Sequence, residues 1–189
     1  MTKASAPRVR RTAQDRRKQL IGIGLRMLTA RPIHQITVDE VAAEAGISRS
    51  LLFHYFPTKQ DYYIEVVRAA ARRLLRAADT DTDGVRGIVT GYVEFIQRRH
   101  TQYVSLFRAA GQDDWVRRVH DETQNAITER VLSALGQPGG SEPVELAIRA
   151  WLAFTEELTI EWTGRGRTDQ ETLIRLLLST LDHVVAAAS

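Results

Sequence analysis

Between Thr37 and Tyr55 the chain reads TVDEVAAEAGISRSLLFHY. Thr37 with Glu40 three residues on is a capping box, the signature of a helix start. Val38, Val41, Ala42 and Ala45 fall on one side of the two turns that follow. Gly46 ends this helix, because glycine takes the left-handed conformation at little cost, and Ile47 is placed to plug the angle to the next helix. Ser48 caps that second helix, expected over 49–54. It buries Leu52, with Phe53 as a second candidate, and turns Arg49, Ser50 and His54 outward. Two short helices joined by a tight glycine turn make a helix-turn-helix, whose second member is sized for a major groove.

Outward from this motif the pattern is helical throughout. Residues 1–14 are small, polar and basic, with Lys3, Arg8, Arg10 and Arg11, and read as a disordered arm. A first amphipathic helix is expected from Asp15, with that carboxylate as its cap, and carries Leu20, Ile21, Leu25 and Leu28 up to Arg31-Pro32. Gly22 and Gly24 each weaken a helix by about 1 kcal/mol relative to alanine, so close packing against another helix is expected there. Thr58 opens a longer helix to about Ala77, with Ile64, Val67, Ala71 and Leu74 or Leu75 on one face. The run DTDTD at 79–83 is the best boundary, and helices are expected near 84–99, 101–109, 112–135, 142–163 and 169–187. No strand pattern or internal repeat competes. The expectation is an all-α protein: a basic arm over 1–14, a three-helix head carrying the helix-turn-helix over 15–57, a connecting helix over 58–78, and a larger helical body over 79–189.

Charge separates along the same line. Residues 1–80 carry a net +8 and residues 81–189 a net −5, which together give the overall +3 of the 189-residue chain. A basic segment beside an acidic one suits a polyanion-binding head on a non-binding body, since each neutralised phosphate releases counterions. With no cysteine, disulfides, thiolate metal sites and cysteine nucleophiles are excluded, and a reducing compartment is permitted. No window approaches the roughly 18 uncharged apolar residues of a membrane span, and no apolar signal-peptide core opens the chain, so a cytoplasmic location without membrane contact is expected.

The segment Thr37 to Lys59, with His54-Tyr55-Phe56 and a lysine three residues after that Phe56, resembles the TetR family of repressors, and the resemblance extends from about Arg17 to Val67. It implies that Arg49, Ser50, Leu51 and His54 face base edges, while Thr37, Ser48, Tyr55 and Lys59 hold phosphates. Two positions depart from the family pattern. Phe53 stands where a tyrosine is usual, and Leu51 replaces a small or hydroxylated residue and can touch a thymine methyl. Arg49 is the best candidate for bidentate contact with a guanine. The basic arm either enters the minor groove or adds nonspecific affinity, and the second reading is favoured.

The last two helices are apolar on more than one face, through Ile148, Trp151, Leu152, Phe154, Leu158 and Trp162, then Leu173, Ile174, Leu177, Leu181 and their neighbours. One stripe faces the core and a second suggests a partner, so a homodimer through these helices is expected, bound to a near-palindromic double-stranded operator. The resemblance further implies that the body over 79–189 is the ligand-binding and dimerisation domain, and that a small-molecule effector bound there moves the helix starting at Thr58 and ends repression. Tyr92, Phe95, Tyr103, Phe107, Trp115, Trp151, Thr155 and Thr159 lie on helices that can surround a cavity, where core packing is the competing role for each. Glu156, Glu157 and Glu161 are an acidic trio. A cationic ligand is one account of it, and solvated carboxylates paired with arginines is the favoured one.

Other classes fare worse. The five histidines are scattered, no HExxH spacing occurs, and His120 with Asp121 and Glu122 cannot all face one way on a helix. Gly164-Arg165-Gly166 lacks the strand and the lysine of a phosphate-binding loop. Neither catalysis nor a cofactor is expected. A nonspecific architectural DNA binder, or an activator with the same fold, remains the alternative to a repressor.

Overall fold

The structure is a computed structural model that describes residues 12–79, 83–109, 113–167 and 169–189. The arm's Lys3, Arg8, Arg10 and Arg11 lie outside those residues, as does part of the acidic 79–83 boundary. Among the described residues the regular elements are all helical. They are α1 (Ala13–Met27), a single 3₁₀ turn at Ile33–Gln35, α2 (Val38–Ala45), α3 (Arg49–Tyr55), α4 (Lys59–Ala77), α5 (Gly84–Arg98), α6 (His100–Val104), α7 (Asp114–Ala134), α8 (Glu142–Gly164) and α9 (Gln170–Ala188). A π-helical turn over Ser105–Ala109 follows α6 directly.

The start of α1 differs from expectation. Its cap is Thr12, whose hydroxyl accepts the amide of Asp15 at 3.1 Å and donates to the Asp15 carboxylate at 2.7 Å. Asp15 therefore sits one turn in, where an acidic side chain also suits the positive end of the helix dipole. Gly24 is the close contact that its composition suggested: a Cβ there would lie 2.5 Å from the Tyr62 hydroxyl and 2.6 Å from Val66 Cγ2. Gly22 has no such contact: a Cβ there would meet only the end of the Arg26 side chain, at 4.0 Å.

Helix α4 is the spine of the molecule. Its Tyr62 hydroxyl donates to the Leu20 carbonyl at 2.9 Å, and its Tyr63 hydroxyl donates to the Ile36 carbonyl, so adjacent tyrosines hold α1 and the lead-in to α2. Burial pushes the Tyr62 hydroxyl well above its ordinary pKa, so it stays a donor. At the far end of α4, Arg130 of α7 donates to the carbonyls of Leu75 and Ala78, groups that a helix end leaves unpaired. Gly91 lets α5 cross there, since a Cβ would run into the Ala77 carbonyl oxygen.

Two apolar clusters result. One gathers Leu20, Ile23, Val41, Leu52, Phe56, Tyr62 and Val66 around the helix-turn-helix and also takes in Leu106, Val116 and Val119 from the body. The other joins α5 to α7, α8 and α9 through Ile88, Val93, Ile127, Ile148, Leu173 and Leu177. The head thus rests on the π turn and on α7 through apolar packing, as well as being joined to the body by α4.

Candidate nucleic-acid interface and body cavity

The capping box forms as its residues dictate: the Glu40 amide donates to the Thr37 hydroxyl at 3.2 Å and the Thr37 amide donates to Glu40 at 2.9 Å. Hydrogen bonds from the Thr37 side chain and amide, with Arg31 at 2.8 Å, hold the Glu40 carboxyl down to about 2. Gly46 takes φ 65°, and Ile47 packs against the head cluster. The Ser48 hydroxyl accepts the Leu51 amide at 3.2 Å, which leaves its own proton to donate outward. Helix α3 runs through Tyr55 and buries Leu52 fully, while Phe53 is half-buried.

Arg49, Ser50, Leu51 and His54 all lie on the exposed face of α3, and Leu51 is 38% exposed. Lys59 is exposed at the first turn of α4, its amine 5.1 Å from the centre of the Tyr63 ring. Tyr55 is half-buried with its ring edge-on to His54. Seven of the eight positions are thus exposed side chains or caps, and Tyr55 is half-buried beside His54. Thr37 differs in one respect. Its hydroxyl donates to Glu40 at 2.7 Å, so the side chain is engaged in the cap.

Sequence reasoning missed Asp39. Its carboxylate accepts from Arg49 at 3.0 Å across the turn, and the guanidinium lies 5.5 Å from the Phe53 ring centre. Ten residues separate Asp39 from Arg49, a spacing that no helical period marks. The ring that lacks a tyrosine hydroxyl thus steadies the arginine beside it.

In the body, a cavity of about 290 Å³ lies between the end of α1, α4, α5 and the α6 to π-turn segment. Phe95, Tyr103 and Phe107 line it. Tyr92 stands behind, its hydroxyl 3.3 Å from that of Tyr103. Trp115 lies instead in the cleft between Tyr55, Pro57 and α7. Trp151 donates its indole N–H to the Leu177 carbonyl at 2.9 Å and ties α8 to α9, and Thr159 donates to the Thr155 carbonyl at 2.7 Å within α8. These last four do not line the cavity.

The acidic trio also divides. Glu161 pairs with Arg165 at 3.2 Å on the surface, as expected. Glu156 departs from the favoured account of solvated, arginine-paired carboxylates: it is turned inward, where it meets His120 Nε2 at 3.0 Å and accepts from Gln124 at 2.7 Å and the Tyr103 hydroxyl at 3.1 Å. The helical phase of 156 differs from that of 157 and 161, which is why one of three adjacent acids can be interior. Burial alone would lower the His120 pKa, but the hydrogen bond and charge of Glu156, helped by Asp121, outweigh it and raise it. Among the described residues no cluster of three potential ligands could hold a metal ion.

A capped helix, a left-handed glycine and a short second helix with an outward polar face, set on a larger helical body, define a helix-turn-helix DNA-binding regulator. The profile described as bacterial regulatory proteins of the tetR family matches residues 20–66, and one described as a tetracyclin repressor-like C-terminal domain matches residues 82–184. The chain belongs to the TetR family. The transcriptional activator FasR of Mycolicibacterium smegmatis is 24% identical over 68% of this chain and 62% of its own length. The regulator EthR of Mycobacterium tuberculosis is 36% identical over 43% of this chain and 42% of its own. The chain thus spans about two fifths to three fifths of these relatives. A TetR-family regulator from Streptomyces coelicolor shares the fold, with TM-score 0.80 at 24% identity over 94% of this chain and 83% of that one.

Proposed function

We propose that this protein is a dimeric, ligand-responsive repressor that binds a near-palindromic operator in the cytoplasm through Ser48, Arg49, Ser50, Leu51, His54, Tyr55 and Lys59, with the amides at the Thr37 cap directed at a phosphate. The observation that carries the reading is the exposed face of α3, where a cation, a hydroxyl, an apolar tip and an imidazole stand together on a helix of major-groove size. Catalysis has no place in it. Among the described residues no helix is long and apolar enough to cross a membrane.

A seven-residue helix reads few base pairs, so specificity needs a second copy. The outer faces of α8 and α9 suit that pairing: Leu146, Phe154 and Leu176 are exposed at 66%, 41% and 44%, with Ala150 and Ala153 beside them. The cavity supports a ligand response because it touches head and body at once. Its wall includes Thr29 from the end of α1 and Gln102 of α6, which are joined by a 3.1 Å hydrogen bond from the Gln102 amide to the Thr29 carbonyl.

Selection from random duplex DNA tests the proposal. The expected result is an enriched inverted repeat whose half-sites lie about 34 to 36 Å, or a multiple, apart. Binding of unrelated duplexes within a few-fold of the best sequence would establish a nonspecific architectural protein instead. An activator with this fold is the second reading, favoured by the likeness to a relative named as an activator. A reporter driven from the selected operator separates the two by the sign of its response.

A further inference from the structure

The cavity beneath α1 has an asymmetric lining. Leu25, Leu28, Leu74 and Leu106 give its interior an apolar wall, whereas Arg73, Arg98 and Arg99 stand on one side. None of the lining residues is acidic. The same three arginines, joined by Arg76, line an adjoining groove of about 370 Å³ between α4 and α5. The groove's single carboxylate among the described residues, Glu94, is already taken by Arg98 at 2.7 Å. Arg99 lies 4.5 Å from the Phe95 ring centre, and neither it nor Arg73 has an ion-pair partner among the described residues. An apolar chamber therefore opens beside a concavity with a net surplus of three positive charges.

Four arginines on two neighbouring helix faces, with one carboxylate among them, favour an anion there, and guanidinium groups suit carboxylate and phosphate oxygens by their paired donors. The charge that a cationic ligand would need, Glu156, lies behind Tyr103 and is bound to His120, Gln124 and the Tyr103 hydroxyl. We infer that the effector is an anionic amphiphile: an apolar chain or ring system in the chamber, with a carboxylate or phosphate held in the arginine groove. The inference rests on the ligand-responsive reading above. The occupant's apolar part would press on Leu25, Leu28 and Thr29, and so act on the helix that carries the head.

Calorimetric binding to the full chain, without DNA, tests it. The probes are decanoate, decyl phosphate, decanol and decyltrimethylammonium, each below its micelle concentration. The two anions are expected to bind at least about tenfold more tightly than decanol or the cation, and more weakly as salt rises. Preference between carboxylate and phosphate identifies the headgroup. The double substitution Arg73→Gln with Arg99→Gln, both on the surface, should weaken the anions about tenfold and leave decanol unchanged. Ala70→Phe, filling the chamber, should abolish binding of all four. Equal binding of decanol and decanoate, tighter binding of the cation, indifference to the arginine substitutions, or no binding of either anion would each overturn the assignment. DNA release by the bound anion is then read separately in a mobility shift. A protein that binds decanoate but no DNA sinks the regulatory reading and spares the ligand class, while one that binds an operator but no anion does the reverse.

Discussion

Arg49 begins α3 with its guanidinium 3.0 Å from the Asp39 carboxylate, and both side chains are about 60% exposed. An ion pair that open to water contributes little, so a guanine edge can compete for the arginine once DNA is present. Replacing Arg49 by alanine is expected to cost about 1 to 3 kcal/mol and to relax preference at one base pair, read by competition across duplexes with single substitutions. A loss uniform over all sequences would make it a phosphate contact instead. Asp39→Ala should act oppositely, strengthening binding to every duplex by freeing the arginine and removing a negative charge beside the phosphates. His120 is a residue of another kind. Its folded pKa is raised above the ordinary 6.5, so the proton it keeps in the folded body adds stability that is fully present below that value. That contribution is lost as pH rises through the raised value. Thermal unfolding followed across pH 5.5 to 9 should show the midpoint decline as pH rises above the ordinary histidine value of 6.5. His120→Gln should flatten that dependence, and an unaltered slope would remove the pair from the account.

Helix pairing turns on Gly24 and Gly91, and Gly22 is the control that separates intrinsic propensity from packing. Gly22→Ala, where the new methyl meets only the flexible end of Arg26, should stabilise the protein by about 1 kcal/mol, because only the cost of glycine in a helix is removed. Gly24→Ala, two residues on, drives a methyl into the Tyr62 hydroxyl and Val66 and should destabilise by about 1 to 3 kcal/mol. Gly91→Ala meets the Ala77 carbonyl, backbone that cannot swing aside, and should cost at least as much. Denaturant unfolding of the three variants checks the order, and equal effects at 22 and 24 would contradict the packing argument. These elements also show what a sequence discloses. The capping box at Thr37, the turn at Gly46 and the apolar phase of α2 are local, so they could be read from residues a few positions apart. Tyr62 and Tyr63 were passed over because their worth lies in carbonyls 42 and 27 residues away. The cavity was only partly legible for the same reason. Phe95, Tyr103 and Phe107 announce themselves as aromatics, whereas Leu25 and Thr29 reach it from the head, and Arg73, Arg98 and Arg99 become one cluster only when α4 and α5 are side by side.

At the scale of the whole molecule, the basic and acidic parts of the chain set a problem that one copy cannot solve. Helix α3 is seven residues long, and the body beneath it carries a net negative charge that DNA repels. Two heads on a rigid spacer raise the effective concentration of the second head near its half-site, so affinity grows without any new base contact. In the proposed dimer the spacer uses the outer side of α8 and α9, where Phe154 and Leu176 are exposed while Trp151 and Leu177 hold the two helices to each other. Phe154→Arg combined with Leu176→Arg places two cations at the centre of a symmetric contact, where each meets its own copy. Sedimentation should then show a monomer where the unaltered chain is a dimer at micromolar concentration. Because both positions are exposed within the chain, helix content by circular dichroism should be unchanged. Affinity for the full inverted repeat should fall more than about tenfold, whereas affinity for an isolated half-site should stay as it was. A variant that remains dimeric would move the interface elsewhere, and a monomeric variant that keeps full operator affinity would show that the two heads do not act together.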